Sequence, residues 1–223
     1  MQRLYEFFDI NPGITALIGG GGKTSTMYAL SEELRKKGSV IVCTSTHILC
    51  PPQYQYLPRI DSAIPSGTVV STGRIDGHKL STPERSFEEL TRFADYVLVE
   101  ADGSRQLPLK AHALHEPVIP EEANKVLVVI GIDGLDRPIE KAAHRPQLYA
   151  EIVHADVKDT VSPQMIRDVV RTYPRCDGII INKADDDEQI AKAEALAELF
   201  SVPVAITAWH SGKPIKSFRR NEA

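Results

Sequence analysis

The chain has 223 residues, a formal net charge of −4, 42% hydrophobic and 25% charged residues, which fits a globular α/β chain with a real core and excludes collagenous, disordered and disulfide-stapled classes. No apolar run reaches the ~18 residues of a membrane-spanning helix, MQRLYEFFDINPG lacks a signal-peptide pattern, and three cysteines make no disulfide framework; a cytoplasmic protein with no membrane partner is expected. The mildly acidic balance also argues against a nucleic-acid partner, which calls for a basic face.

Short apolar runs alternate with helical patterns. Ile14–Ile18 reads as a strand, and a helix is expected from about Thr24 to Lys37, with Met27, Leu30 and Leu34 on one face and Gly38 to end it. Ser39–Thr44 is the next strand, Pro51–Pro65 is proline-rich and irregular, and Thr68–Thr72 is a short strand. Ser86 and Glu89 have capping-box spacing ahead of a helix with Phe87, Leu90 and Phe93 on its apolar face. Tyr96–Val99 and Lys125–Ile132 are apolar without alternation, as central strands are. Ser162-Pro163 starts a helix with Ile166, Val169 and Val170 buried. Strand Gly178–Ile181, helix Asp187–Phe200 and strand Val202–Thr207 complete the series, and Lys213–Arg220 reads as a solvated basic tail. The expected fold is α/β: one domain over residues 1–223, a mostly parallel sheet with helices on both faces, and loop-rich insertions at about 50–90 and 103–124.

The strongest local signal is a strand, then Gly19-Gly20-Gly21-Gly22-Lys23-Thr24, then a helix. Glycines let backbone N–H groups turn toward phosphate oxygens, Lys23 would reach the terminal phosphates, and the Thr24 hydroxyl would ligate Mg²⁺. Ser25 follows in the first helical turn, where the free N–H groups and helix dipole favour an anion. The loop reads G-x-x-G-K-T, two residues shorter than a full Walker A loop, because Leu17 stands where that spacing needs Gly. The short form resembles the loop of the Mur ligases. The plain alternative is a glycine-rich strand–helix turn with an incidental Lys-Thr.

Val97-Leu98-Val99-Glu100-Ala101-Asp102-Gly103 sets two carboxylates at the carboxyl end of a buried strand, the end where open α/β sheets bind ligands. Glu100 or Asp102 would hold Mg²⁺ with Thr24, and the other would orient an attacking water or hydroxyl. Alternation sets both on one side. Ile181-Asn182-Lys183-Ala184-Asp185 matches N-K-x-D after an apolar strand. In that motif the Asp accepts from the guanine ring N–H and amine, the Lys stem packs on the base and the Asn braces a neighbouring loop. Thr207-Ala208 is placed to add a backbone contact to the base.

Weaker features carry open alternatives. Thr46 and His47 end a strand and suit either a phosphate-facing switch or an ordinary turn. Arg105 and Lys110 suit an anionic substrate or a solvated loop, and His144-Arg145-Pro146 is expected to start a helix, where Arg145 suits either a phosphate contact or none. Cys43, His47 and Cys50 lack a fourth zinc ligand, and His112, His115 and Glu116 suit metal binding less well than loop packing.

The set GGGGKT, CTSTHI-x-x-PP, VEADGSRQLPLKAH, HEPVIP, AHRPQ and IINKAD resembles the YqeC-like family over nearly the whole chain. The resemblance implies a P-loop NTPase of the class related to dethiobiotin synthetase and G proteins, associated with maturation of selenium-dependent molybdenum hydroxylases, and hence work on a molybdenum cofactor or a client hydroxylase. Carried over by position, it puts Gly19 to Thr24 on phosphates, Glu100, Asp102 and Arg105 at the reacting centre, and Asn182, Lys183 and Asp185 on the base. The resulting expectation is a Mg²⁺-dependent protein binding GTP or ATP, with guanine preferred, acting as an NTPase with Lys23, Glu100 and Asp102 catalytic. The competing readings are a nucleotide-gated chaperone with little turnover of its own, and a small-molecule kinase or ATP-dependent ligase.

Overall fold

A computed structural model describes residues 3–209 and the backbone of 213–219. In chain order the elements are α1 (Leu4–Phe7), β1 (Gly13–Gly19), α2 (Lys23–Leu34), β2 (Val40–Thr44), β3 (His47–Leu49), β4 (Gln55–Leu57), β5 (Val69–Thr72), β6 (Arg74–Asp76), β7 (Lys79–Ser81), α3 (Phe87–Leu90) and β8 (Tyr96–Glu100). They continue with β9 (Leu109–Lys110), β10 (Ala123–Gly131), a 3-10 turn (Ile132–Gly134), α4 (Ile139–Ala142), β11 (Ala143–His144), α5 (Pro146–Ile152), α6 (Pro163–Arg171), β12 (Gly178–Asn182), α7 (Asp187–Ala197), β13 (Val204–Ala208) and β14 (Lys213–Arg219). The architecture is α/β, with mostly parallel main strands and flanking helices, as the alternation predicts. Two compact units divide the chain.

The first unit holds Met1–Ile18, Thr24–Gly103 and Pro117–Val126. Its main strands run β1-β8-β2-β5-β4, all parallel. Every residue of β2 and β8 is buried, which is why their sequences are apolar without alternation. Leu17 of β1 and Thr44 of β2 both register with Glu100, so the carboxylate at the end of β8 emerges between two other strand ends. Met27, Leu30 and Leu34 are fully buried on α2. That helix stops at Leu34, short of Lys37, because Lys37 and Gly38 both turn their N–H groups onto the Leu34 carbonyl. The capping box at Ser86 and Glu89 forms as expected but starts only one turn of helix. The 50–90 region contains more structure than its composition suggests: β6 and β7 pair antiparallel, and β7 pairs with β3. Strands of three residues with exposed side chains give no readable period.

The second unit holds Gly19–Lys23, Ser104–Glu116 and Leu127–Ala223. Strands β10, β12 and β13 run parallel, and β14 is antiparallel to β13. The backbone of Lys213–Arg219 is thus an edge strand where a solvated tail is expected from its charge alone. Ser162 accepts from Met165 N at 3.3 Å to cap α6, and Asp186 accepts from Gln189 N at 2.8 Å to cap α7, so the acids before α7 are helix-start residues. Ile166, Val169 and Val170 are buried as their spacing predicts. A two-residue parallel ladder of β9 and β11 sets Lys110 opposite His144.

The α2 core gives a direct stability test. Leu30→Ala is expected to cost about 2–5 kcal/mol, read as a lower urea midpoint with an unchanged slope.

Candidate functional site

In the second unit the loop after β1 is shaped by close backbone approach. Gly21 (φ 68°) lies against the backbone of Gly131, and a side chain at Gly22 (φ 106°) would meet Asn182 Nδ2 at 2.6 Å. Neither conformation nor space admits another residue. Gly20 N donates to Val129 O at 2.9 Å and Gly21 N to Leu107 O at 3.0 Å. These two N–H groups therefore hold the loop to its surroundings, which amends the expectation that they turn toward a phosphate. The amides opening α2, from Lys23 through Ser25, are the donors that helix geometry leaves without a partner in their own helix. Lys23 is 2% exposed, and its Nζ donates back to Gly19 O at 2.6 Å.

Asn182, at the end of β12, donates from Nδ2 to Gly21 O at 2.8 Å and accepts at Oδ1 from Thr207 Oγ1 at 3.1 Å. Ala184 N bonds Thr207 O at 3.0 Å. The Asn thus braces the glycine loop and the end of β13 together. Lys183 takes a left-handed backbone (φ 66°) and its Nζ reaches Asp133 Oδ2 at 2.9 Å. Asp185 N donates to Gln189 Oε1 at 2.8 Å, while Asp185 Oδ1 is buried and accepts no hydrogen bond from the described residues.

In the first unit Thr24 Oγ1 donates to Glu100 Oε2 at 2.7 Å. Glu100 is 6% exposed and Asp102 is fully buried just past the strand end. Thr44 Oγ1 and Ser45 N both bond Glu100 O, at 2.7 and 3.2 Å. Thr46 closes that turn, its N on Thr44 Oγ1 at 3.0 Å, whereas His47 is exposed on β3. Cys43 lies in the core of β2, where burial pushes its thiol well above the usual range. Among the described residues no group of three or more His, Cys, Asp or Glu is placed to hold a metal. A groove of about 640 Å³ lined by Gly13, Ser39 and Asp95 lies at the amino ends of the strands, the wrong end for a ligand of this architecture.

The 104–116 segment of the second unit brings Lys110, Glu116 and Arg145 together. Lys110 Nζ is 3.3 Å from Glu116 Oε2 with its side chain fully buried, and Arg145 Nε donates to the same oxygen at 3.0 Å. Lys110 is thus a buried ion-pair member and not a solvated loop cation. Burial alone would raise the Glu116 carboxyl, but Arg145 and Lys110 outweigh it and hold the pKa down to about 2. Desolvation, with Lys110 and Arg145 nearby, lowers the His144 pKa. Arg105 is exposed and, with Gln106, takes a left-handed backbone.

Residues 15–147 match the family model described as YqeC protein. The chain belongs to the YqeC family. It is 32% identical over 158 residues to the "Uncharacterized protein YqeC" of Escherichia coli (strain K12), an alignment covering 63% of this chain and 60% of that relative, so the chain spans less than two thirds of the relative's length. Among the described residues of this YqeC-family chain no helix is long and apolar enough to cross a membrane.

Sequence reading does not single out Asp133, the partner of Lys183, or Gln189, which orders the Asp185 amide. Asp133 does carry a signal: it closes Gly131-Ile132-Asp133-Gly134 at the carboxyl end of a buried strand, the same context that marks Glu100. Glu116 makes stability pH-dependent. Its folded pKa, held down to about 2, lies well below the 4.5 of an ordinary glutamate, so its contribution is complete above about pH 4.5 and is lost as pH falls toward 2. Denaturant titrations between pH 7 and pH 3 are expected to show this loss, and Glu116→Gln to flatten it.

Proposed function

We propose that this chain is a Mg²⁺-dependent nucleoside-triphosphate-binding protein of P-loop type, an NTPase with guanine preference. The observation that carries this reading is the pair of hydrogen bonds of Asn182, one donated to Gly21 O and one accepted from Thr207 Oγ1. It makes the glycine loop and the N-K-x-D strand end one braced structure, as a protein gripping both ends of one nucleotide requires. The buried Asp185 Oδ1, without a hydrogen bond from the described residues, supports base recognition, because an acceptor shielded from water stabilises the fold only when a donor meets it. Guanine supplies the adjacent ring N–H and amine that a carboxylate accepts; adenine does not.

The residues fit a magnesium ion. Thr24, Glu100 and Asp102 offer only hard oxygen atoms, and the Thr24 hydroxyl, by donating to Glu100, keeps its lone pairs for a cation. A magnesium ion held by so few side chains would take its remaining ligands from phosphates and water. Bound there, Mg²⁺ would neutralise charge on the phosphates. Lys23 follows the glycine loop and immediately precedes Thr24, so phosphate and metal contacts arise from consecutive residues at the start of α2. The Nζ bond to Gly19 O stores the lysine inside the loop until a phosphate displaces that carbonyl. Glu100 or Asp102 then orients the attacking water, and catalysis is positioning plus charge stabilisation. The client process in this reading is maturation of a selenium-dependent molybdenum hydroxylase or its cofactor, as the family resemblance implies.

A nucleotide panel tests the reading. Lys23→Ala is expected to weaken GTP binding by about tenfold or more, and Thr24→Ala to remove its Mg²⁺ dependence. Asp185→Asn is expected to turn preference from guanine toward xanthine nucleotides in competition binding. ATP bound more tightly than GTP, with Asp185→Asn without effect, would refute the base assignment.

A further inference from the structure

The small antiparallel sheet of the first unit has the order β3-β7-β6, so β6, with the sequence Arg74-Ile75-Asp76, is its edge. Gly77 and His78 alone join β6 to β7, and Gly77 has φ 60°, the glycine-first turn of a tight hairpin. In such a hairpin the residues flanking the turn exchange main-chain bonds, and alternate residues along the strand then point their N–H and C=O at the partner. Asp76 and Arg74 therefore face β7, which agrees with Arg74 O accepting from Ser81 Oγ at 3.1 Å. Ile75 consequently points its N–H and C=O away from the sheet, where no described residue meets them. All of β6 is exposed, Ile75 by 53%. Ile48 and Leu80, which share its cross-strand row, are buried, so an apolar row runs to the edge and ends there uncovered. The Asp76 carboxylate has no hydrogen-bond or ion-pair partner among the described residues, and Arg74 uses only Nε, on Thr82 O at 3.4 Å.

We propose that β6 pairs antiparallel with β6 of a second copy of this chain, across a two-fold axis through Ile75. The charge pattern decides the occupant. Laid antiparallel on itself, Arg-Ile-Asp sets Arg74 against the second copy's Asp76, Asp76 against the second copy's Arg74, and Ile75 against its own equivalent. The two isoleucines exchange their outward main-chain bonds, and both charge pairs lie directly across the new boundary. A parallel arrangement would set arginine on arginine. Edges are commonly guarded by charge, lysine above all; a cation and an anion at equal distance from the centre instead complement a copy of themselves. The small sheet of one molecule thereby continues into that of the other through an isologous contact. The ladder is short, so the dimer is weak and forms with rising concentration. It does not depend on the nucleotide reading, since β6 belongs neither to the glycine loop nor to the N-K-x-D segment.

Sedimentation equilibrium of the full chain from about 10 μM to about 1 mM reads the dimer directly. Wild type is expected to self-associate, and less so at high salt. Arg74→Asp makes the edge all acidic and Asp76→Arg makes it all basic. Each alone is expected to weaken self-association about tenfold, because like charges then face each other twice. Mixed in equal amounts, the two variants complement one another, and the mixture is expected to associate within about threefold of wild type. In the unmutated chain, hydrogen exchange at the Ile75 amide is expected to slow as concentration rises, which tests the pairing whether or not the variants fold. A wild type monomeric throughout, a dimer indifferent to both reversals, folded variants that fail to associate when mixed, or an Ile75 amide whose exchange ignores concentration would each overturn the proposal.

Discussion

The tight seating of Gly21 and Gly22 is the constraint on which the second unit's functional geometry depends. Gly21 touches the backbone of Gly131, and Gly22 sits under the Asn182 amide. A loop packed this closely cannot be held by side chains of its own. It is held instead by its two backbone N–H bonds to Val129 and Leu107 and by Asn182 on its carbonyl. Two of those partners are themselves fixed: Val129 and Asn182 lie in the parallel strands β10 and β12, paired to each other's strand through Val129–Ile180 and Gly131–Asn182. The loop therefore inherits the rigidity of the sheet, the preorganisation that the proposed phosphate contact would require.

The same constraint explains what could be read from the sequence. Four consecutive glycines between an apolar strand and a helix announce a backbone that must approach something, and N-K-x-D after a second strand announces a braced turn. Their contact across 161 positions is not written in either segment, but each one's position at a carboxyl strand end is. The apolar strands β2, β8, β10 and β12 were legible for a related reason: complete burial removes alternation and leaves unbroken runs. A short exposed strand such as β6 has no such pressure on its composition. The charge of Lys213–Arg219 hid a strand because the backbone ladder to β13 is indifferent to which side chains it carries.

Burial changed the meaning of individual charges more than it changed the fold. From sequence, Lys110 and Arg105 are two cations in one loop and equally suited to solvent. In the structure one is fully buried on Glu116 and the other exposed. A buried ammonium is tolerated only with a partner, and Glu116, its pKa held down to about 2, is a partner that stays ionised at neutral pH. Neither the pairing nor its strength is encoded locally, because Lys110 meets Arg145 through a two-residue ladder whose paired residues are 34 positions apart.

One short segment serves both regions of the second unit. Leu107 O receives Gly21 N, Pro108 O receives Gly131 N, and Leu109 and Lys110 then pair with Ala143 and His144. Residues 107–110 thus spend their backbone groups first on the glycine loop and next on the Glu116 cluster. Because these are main-chain bonds, a substitution that shifts the backbone of the segment reaches both regions. Separating the two regions experimentally therefore requires residues outside the strap, Lys23 and Asp185 for one and Arg145 for the other. That the strap enters through two left-handed residues, Arg105 and Gln106, fixes where it can yield: strain is stored at its start, while its end is locked into a ladder.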